Sequence, residues 1–198
     1  MHAMDKQSDR YGTVIILNGP AAVGKTTIVK TLQEQSGNIW YNASFDSHFI
    51  KPFEKYILTD HQNTDVAKLE ESQEDGQLTT HAVFGNAGTK AMLGLFASLA
   101  AVAREGTNVV FDFTCYDSSW PTELNDRLKG IKKYWVAVTL PIEENEEREK
   151  KRGTTTLGLA RAYYQKCHQN IEYDLTLQMD TISAQEAIKK INDLLEQK

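Results

Sequence analysis

Nine consecutive residues, Gly19-Pro20-Ala21-Ala22-Val23-Gly24-Lys25-Thr26-Thr27, have the types and spacing to hold a row of phosphates. They follow the apolar run Val14-Ile15-Ile16-Leu17 and fit the pattern G-x-x-x-x-G-K-[ST] between a buried strand and a helix. Glycines at both ends of such a loop let backbone N–H groups curl around phosphate oxygens with no Cβ in the way. Lys25 has the reach for the β- and γ-phosphates of a nucleotide, and the Thr26 hydroxyl can ligate Mg²⁺. The helix opening at Thr26 adds the positive end of its dipole. The nucleotide contacts expected here are Gly19, Ala21, Ala22, Val23, Gly24, Lys25, Thr26 and Thr27.

Acids and bases follow the other apolar bursts. Asp46, in Ser44-Phe45-Asp46-Ser47, is placed to take the proton of an alcohol attacking a γ-phosphoryl group. The same position also suits an N-cap for residues 47–51. Asp112 ends the run Asn108-Val109-Val110-Phe111 and is the expected partner of Thr26 at Mg²⁺, mostly through metal-bound water. Arg148 and Arg152 lie four residues apart on one face of a charged helix, ahead of Gly153 and a threonine run. Such a pair can close over a triphosphate and neutralise charge, or can serve a solvated face laced with Glu–Arg and Glu–Lys pairs. His48, His61, His81 and His168 show no metal-binding spacing, and Trp40, Trp120 and Trp135 suit a core or a pocket wall.

The elements that must position these residues alternate between β-branched bursts and helical patterns, which indicates an α/β fold with a parallel sheet. Strands are expected at 13–17, 39–45, 108–113, 134–140 and about 175–177. Helices are expected at 26–35, 89–104, 142–152 and about 157–171. A terminal helix opens at the capping box Ser183-Ala184-Gln185-Glu186, with Ala187, Ile188, Ile191, Leu194 and Leu195 as its apolar stripe. Residues 47–88 are polar and broken and read as several short helices. Open parallel sheets bind ligands beyond the carboxyl ends of their strands, which places the chemistry after Leu17, Phe45, Phe111 and Leu140.

The chain of 198 residues fits one domain, 13–198, behind a polar tail at 1–12 that lacks the apolar core of a secretory signal. A net charge of −5 argues against broad nucleic-acid binding, and no run is long and apolar enough for a membrane span. Cys115 and Cys167 have no CxxC or metal spacing and read as reduced thiols of a cytoplasmic protein.

With these residues in hand, the chain resembles the chloramphenicol phosphotransferase-like family of small phosphate-loop kinases. The likeness runs through Ile15-Ile16-Leu17-Asn18-Gly19, Gly24-Lys25-Thr26, Phe45-Asp46-Ser47 and Glu105 to Asp112. Arg148-Glu149, Arg152-Gly153, Gly158, Ala160, His168, Glu172-Tyr173-Asp174 and Asp180-Thr181 recur at the family's spacing. The resemblance implies a three-layer, nucleoside-monophosphate-kinase-like fold with sheet order 2-3-1-4-5. It also implies ATP and Mg²⁺, Asp46 as base, a lid at about 148–160 carrying Arg148 and Arg152, and Asp180 and Thr181 near the nucleotide base. Two positions depart from it. Asp112 is followed by Phe113 where the family pairs two acids, and Thr155 stands where a lid arginine is expected, with Arg161 a candidate replacement.

The expected activity is therefore Mg²⁺–ATP-dependent transfer of the γ-phosphoryl group to a hydroxyl of a small molecule. A toxin-type kinase acting on a nucleotide sugar or macromolecule is the alternative within enzymes. A nucleotide-binding module without turnover is the alternative outside them, suggested by Phe113 and Thr155. No N-K-x-D guanine motif is present, and the fourth strand runs into Thr139-Leu140-Pro141.

Overall fold

The computed structural model describes residues 11–59, 65–153 and 156–197. Its elements run β1 (Val14–Asn18), α1 (Lys25–Gln35), β2 (Trp40–Ser44), and a helical segment in which α2 (Lys51–Glu54) lies between wider π-type turns at Asp46–Ile50 and Lys55–Thr59. There follow β3 (Ala67–Glu74), β4 (Gln77–Phe84), α3 (Asn86–Arg104), β5 (Asn108–Phe113), α4 (Trp120–Arg127) and β6 (Lys133–Thr139). The chain closes with α5 (Ile142–Arg152), α6 (Leu159–Tyr163), β7 (Leu175–Gln178) and α7 (Ala184–Glu196).

The main sheet has five parallel strands in the order β2-β5-β1-β6-β7, which is the expected 2-3-1-4-5 once the hairpin strands are set aside. Strand alternation divides the core into two faces. Val14, Ile16, Phe111 and Phe113 point into one layer with α3 and α4, through Phe96, Leu99, Trp120 and Leu124. Ile15, Leu17, Val110, Val136 and Val138 point into the other, where Ile28, Val29 and Leu32 of α1 meet Ala187, Ile188 and Ile191 of α7. Three layers result. Trp40, Trp120 and Trp135 are all core residues, and Ser183 and Glu186 form the expected capping box.

Three parts of the sequence reading need correction. Residues 67–84 form an antiparallel hairpin, not short helices, closed by Asp75 and Gly76, both in left-handed backbone. A two-residue turn of this kind matches the twist of the strands it joins, and Asp-Gly suits it. The helix expected over 157–171 is only α6, followed by a 3₁₀ turn at Lys166–His168. Helix α4, which begins at a buried Trp120, is an element beyond those the sequence pattern predicts. The tail at 1–10, His61, Thr155 and part of the threonine run lie outside the described residues.

Candidate active site

The loop after β1 is shaped by close contact with its neighbours. A Cβ on Gly19 would strike the Val138 carbonyl of β6, so only glycine lets the chain turn there. Ala22 and Gly24 both take left-handed backbone, with φ of 61° and 110°, and swing the chain into α1. No side chain caps the first turn of α1; Thr27 N–H donates to the Gly24 carbonyl, and the N–H groups ahead of it are the ones that face an anion.

Lys25 opens that helix yet is buried, 7% exposed. Its Nζ donates to the carbonyls of Gly19 and Pro20, each at 2.8 Å, and to the Thr114 hydroxyl at 3.2 Å. The Thr114 hydroxyl in turn donates to the Gly19 carbonyl at 2.9 Å. Asp112 Oδ1 stands 3.9 Å from Nζ. Burial pulls the Lys25 pKa below the ordinary lysine range; Asp112, Cys167 and Asp46 oppose the shift, and Arg152 adds to it. Both carboxylates and Arg152 therefore act on one ammonium.

Sheet register explains this convergence. Ser44, Asp112, Leu17 and Val136 lie in one row across four strands. Asp112 sits inside β5 and not after it, and its Oδ2 accepts a 2.8 Å hydrogen bond from the Thr26 hydroxyl. Its neighbour Phe113 turns to the opposite face and packs among Phe111, Phe96 and Trp120. The missing second acid is thus a core residue.

Asp46 follows β2 at the edge of the same row. The capping role belongs to Ser44, whose hydroxyl accepts the Ser47 N–H at 3.1 Å. Asp46 is exposed and its carboxylate has no hydrogen-bond partner among the described residues. Its neighbour Phe45 joins an aromatic group in which Phe45, Phe84, Tyr116 and Tyr163 contact one another in series. His48 is held by Tyr41 and the Ser44 carbonyl, and His81 by Glu74.

Helix α5 lies along the loop. Arg148 Nη1 is 3.9 Å from where a Cβ on Gly24 would stand, and its Nη2 donates to Glu144. Arg161, the candidate replacement for the absent lid arginine, is instead bound by both carboxylate oxygens of Glu146. Asp180 and Thr181 sit in an exposed turn beyond β7, where Thr181 donates to the Gln178 carbonyl, and Met179 N–H joins the turn to Thr139 at the end of β6.

With this geometry the comparisons with known proteins are specific. A family model described as "Chloramphenicol phosphotransferase-like protein" matches residues 12–196. The chain belongs to that family. It is a phosphotransferase of the kinase type. A "Putative O-phosphotransferase" of Mycobacterium tuberculosis is 25% identical over 187 residues, covering 92% of this chain and 81% of the relative. Among solved structures, the APS kinase CysC of Mycobacterium tuberculosis, in complex with AMPPNP and APS, superposes with a TM-score of 0.61. It is 16% identical, with 94% of this chain and 98% of that one covered. The tunicamycin resistance protein of Deinococcus radiodurans gives a TM-score of 0.63 at 15% identity, covering 93% and 96%. At these identities the two structures speak for the fold.

Within this chloramphenicol phosphotransferase-like chain, several polar residues near the loop escaped sequence reasoning. Asn18, fully buried, donates to the Cys167 carbonyl and the Tyr173 hydroxyl, each at 2.6 Å, and accepts the Cys115 N–H. Asn145 is fully buried and donates to the Ala21 carbonyl at 2.7 Å. Glu149, 2% exposed, accepts the N–H groups of Gly158 and Ala160. Burial raises its pKa above the ordinary carboxyl range, against those two hydrogen bonds. Thr114 was findable, being a hydroxyl two residues past the strand acid; Asn18 and Glu149 belong to the family's recurring segments but gave no hint of their partners, and Asn145 carries no local signal.

Proposed function

We propose that this protein transfers the γ-phosphoryl group of ATP to a hydroxyl of a small molecule. The observation that carries the reading is the Lys25 ammonium, buried beneath the loop on the Gly19 and Pro20 carbonyls, with Asp112 3.9 Å away and itself bonded to the Thr26 hydroxyl. A lysine, two carboxylates and an arginine around a loop of uncapped N–H groups suit an anion that must be held and then attacked.

In this reading the backbone of residues 19–27 holds the phosphates. Lys25 has all three donors committed to Gly19, Pro20 and Thr114, and phosphate oxygens take over some of those bonds. Thr26 and Asp112 offer a hydroxyl and a carboxylate side by side, a hard oxygen pair that fits Mg²⁺. When bound, that ion neutralises charge on the β- and γ-phosphates. Asp46 orients the acceptor hydroxyl and takes its proton; a carboxylate without a hydrogen-bond partner is available to do so. Arg148 and Arg152 stabilise the transferring group from α5, at the root of a lid over about 148–160. Asp180 and Thr181 border the nucleotide base. The domain of this kinase is 13–198.

The test is transfer of labelled γ-phosphate from Mg²⁺–ATP to a panel of alcohols that includes chloramphenicol, nucleosides and nucleotide sugars. Lys25→Ala serves as the blank. A labelled product that vanishes with Lys25→Ala supports the reading, and a product that persists in it removes the site described here.

A further inference from the structure

Strand β4 touches two regions along its length. Thr80, Ala82 and Phe84 alternate and so share one face. At one end the Phe84 ring meets Phe45, the residue before Asp46, at 6.4 Å between centroids, and Tyr116 at 5.9 Å. At the other end the Thr80 hydroxyl donates to the Leu157 carbonyl at 2.6 Å, and its N–H donates to the Gly158 carbonyl at 3.1 Å. Between them the Ala82 N–H donates to the Tyr163 hydroxyl at 3.0 Å. Thr80 is fully buried. Gly158 comes so near that a Cβ would stand 3.0 Å from Thr80 N and 3.1 Å from the Leu78 carbonyl, at a φ of 89°.

The contact continues into α5. Gly158 N–H donates to Glu149 Oε2 at 2.8 Å, and Ala160 N–H to Oε1 at 2.7 Å. Glu149 lies next to Arg148 and three residues before Arg152. At the start of α5, Asn145 grips the Ala21 carbonyl of the phosphate loop. Helix α5 is thus fastened at one end to the loop and at the other, through Glu149 and Gly158, to the hairpin.

We propose that Thr80 is a positioning residue for phosphoryl transfer. Through Leu157, Gly158 and Glu149 it sets where α5 holds Arg148 and Arg152, and it ties that setting to the strand whose Phe84 packs on Phe45. The inference rests on the phosphotransferase reading above. Thr80 touches neither reacting group, so its effect passes wholly through α5.

Thr80→Val keeps the shape and removes the hydroxyl, while Thr80→Ser keeps the hydroxyl. In the ligand-free full chain, amide hydrogen exchange at Gly158 and Ala160 should quicken about tenfold in Thr80→Val and return to the wild-type rate in Thr80→Ser. The dissociation constant for Mg²⁺–AMPPNP should rise about threefold or more in Thr80→Val, again with rescue by serine. Tyr163→Phe removes the second tie and carries the same expectation should Thr80→Val not fold. Wild-type nucleotide affinity in these variants, even with a lowered Tm, would make Thr80 a stability residue only and overturn the proposal. Failure of the wild-type protein to bind Mg²⁺–AMPPNP would instead overturn the phosphotransferase reading, and the proposal with it.

Discussion

The Thr26 hydroxyl donates a 2.8 Å hydrogen bond to Asp112 Oδ2 across 86 residues of chain. One residue opens the first turns of α1 and the other lies inside β5, so the pairing exists only because β1 and β5 are adjacent and parallel. Asp112→Asn keeps an oxygen for that hydroxyl and loses the charge that suits a divalent cation. Its Tm should stay within a few degrees of wild type. Phosphoryl transfer should fall by about 10²-fold or more, with a higher Mg²⁺ concentration needed for half-maximal rate. An unchanged Mg²⁺ titration would remove Asp112 from the metal site.

Asp46 is exposed and has no hydrogen-bond partner among the described residues, so its replacement should cost little stability. Asp46→Asn is expected to bind Mg²⁺–ATP with wild-type affinity by calorimetry while transfer drops about 10²- to 10⁴-fold, the range for a lost general base. Equal loss of affinity and rate would point to a role in holding the nucleotide.

His168 should make stability depend on pH. His168 Nδ1 lies 2.8 Å from the Tyr173 hydroxyl, which accepts from Asn18, so the ring sits buried in a polar chain with no carboxylate in it. Burial, assisted by the charge of Lys25, lowers the His168 pKa below its usual 6.5. For a group depressed in the folded state, the stabilisation is complete above the unfolded value and is lost as pH falls through the folded one. Urea midpoints measured from pH 7.5 to 5 should decline more steeply in wild type than in His168→Gln. The difference should amount to about 1 kcal/mol, one hydrogen bond.

The two thiols should be inert in the folded chain. Cys115 and Cys167 are buried, and desolvation pushes each up to about 12 from an ordinary value near 9. At pH 8 a disulfide-exchange reagent should label neither within minutes, because the thiolate is the reactive form, and should label both once urea unfolds the protein. Between pH 9 and 12 the unfolded chain sheds protons that the folded one keeps, so stability should fall across that window. Rapid labelling of the native protein would contradict this burial.

Some of the site was legible because its parts are neighbours in the chain. The hairpin shows the opposite case. Its first strand, Ala67–Glu74, is exposed almost throughout, so it has no apolar alternation to announce a strand. Asp75-Gly76 was the one local clue. The stretch 157–171 carried a helical pattern, yet the chain leaves the helix after Tyr163 and folds Cys167 and His168 under the phosphate loop. A tertiary contact there outweighed helix propensity.

By itself the sequence determined the glycine-bounded loop between β1 and α1, the parallel α/β layering and the acids that sit at or just beyond strand ends. Each depends on residues a few positions apart, and backbone geometry alone relates them. Only the tertiary structure decided that Ser44, not Asp46, caps the turn, that Arg161 is bound to Glu146, and that Asn18, Asn145 and Glu149 are buried on hydrogen bonds beside the loop and α5. A polar side chain becomes structural only when burial forces it to find a partner. For Asn18 and Asn145 those partners lie 149 and 124 residues away, beyond the reach of any local pattern.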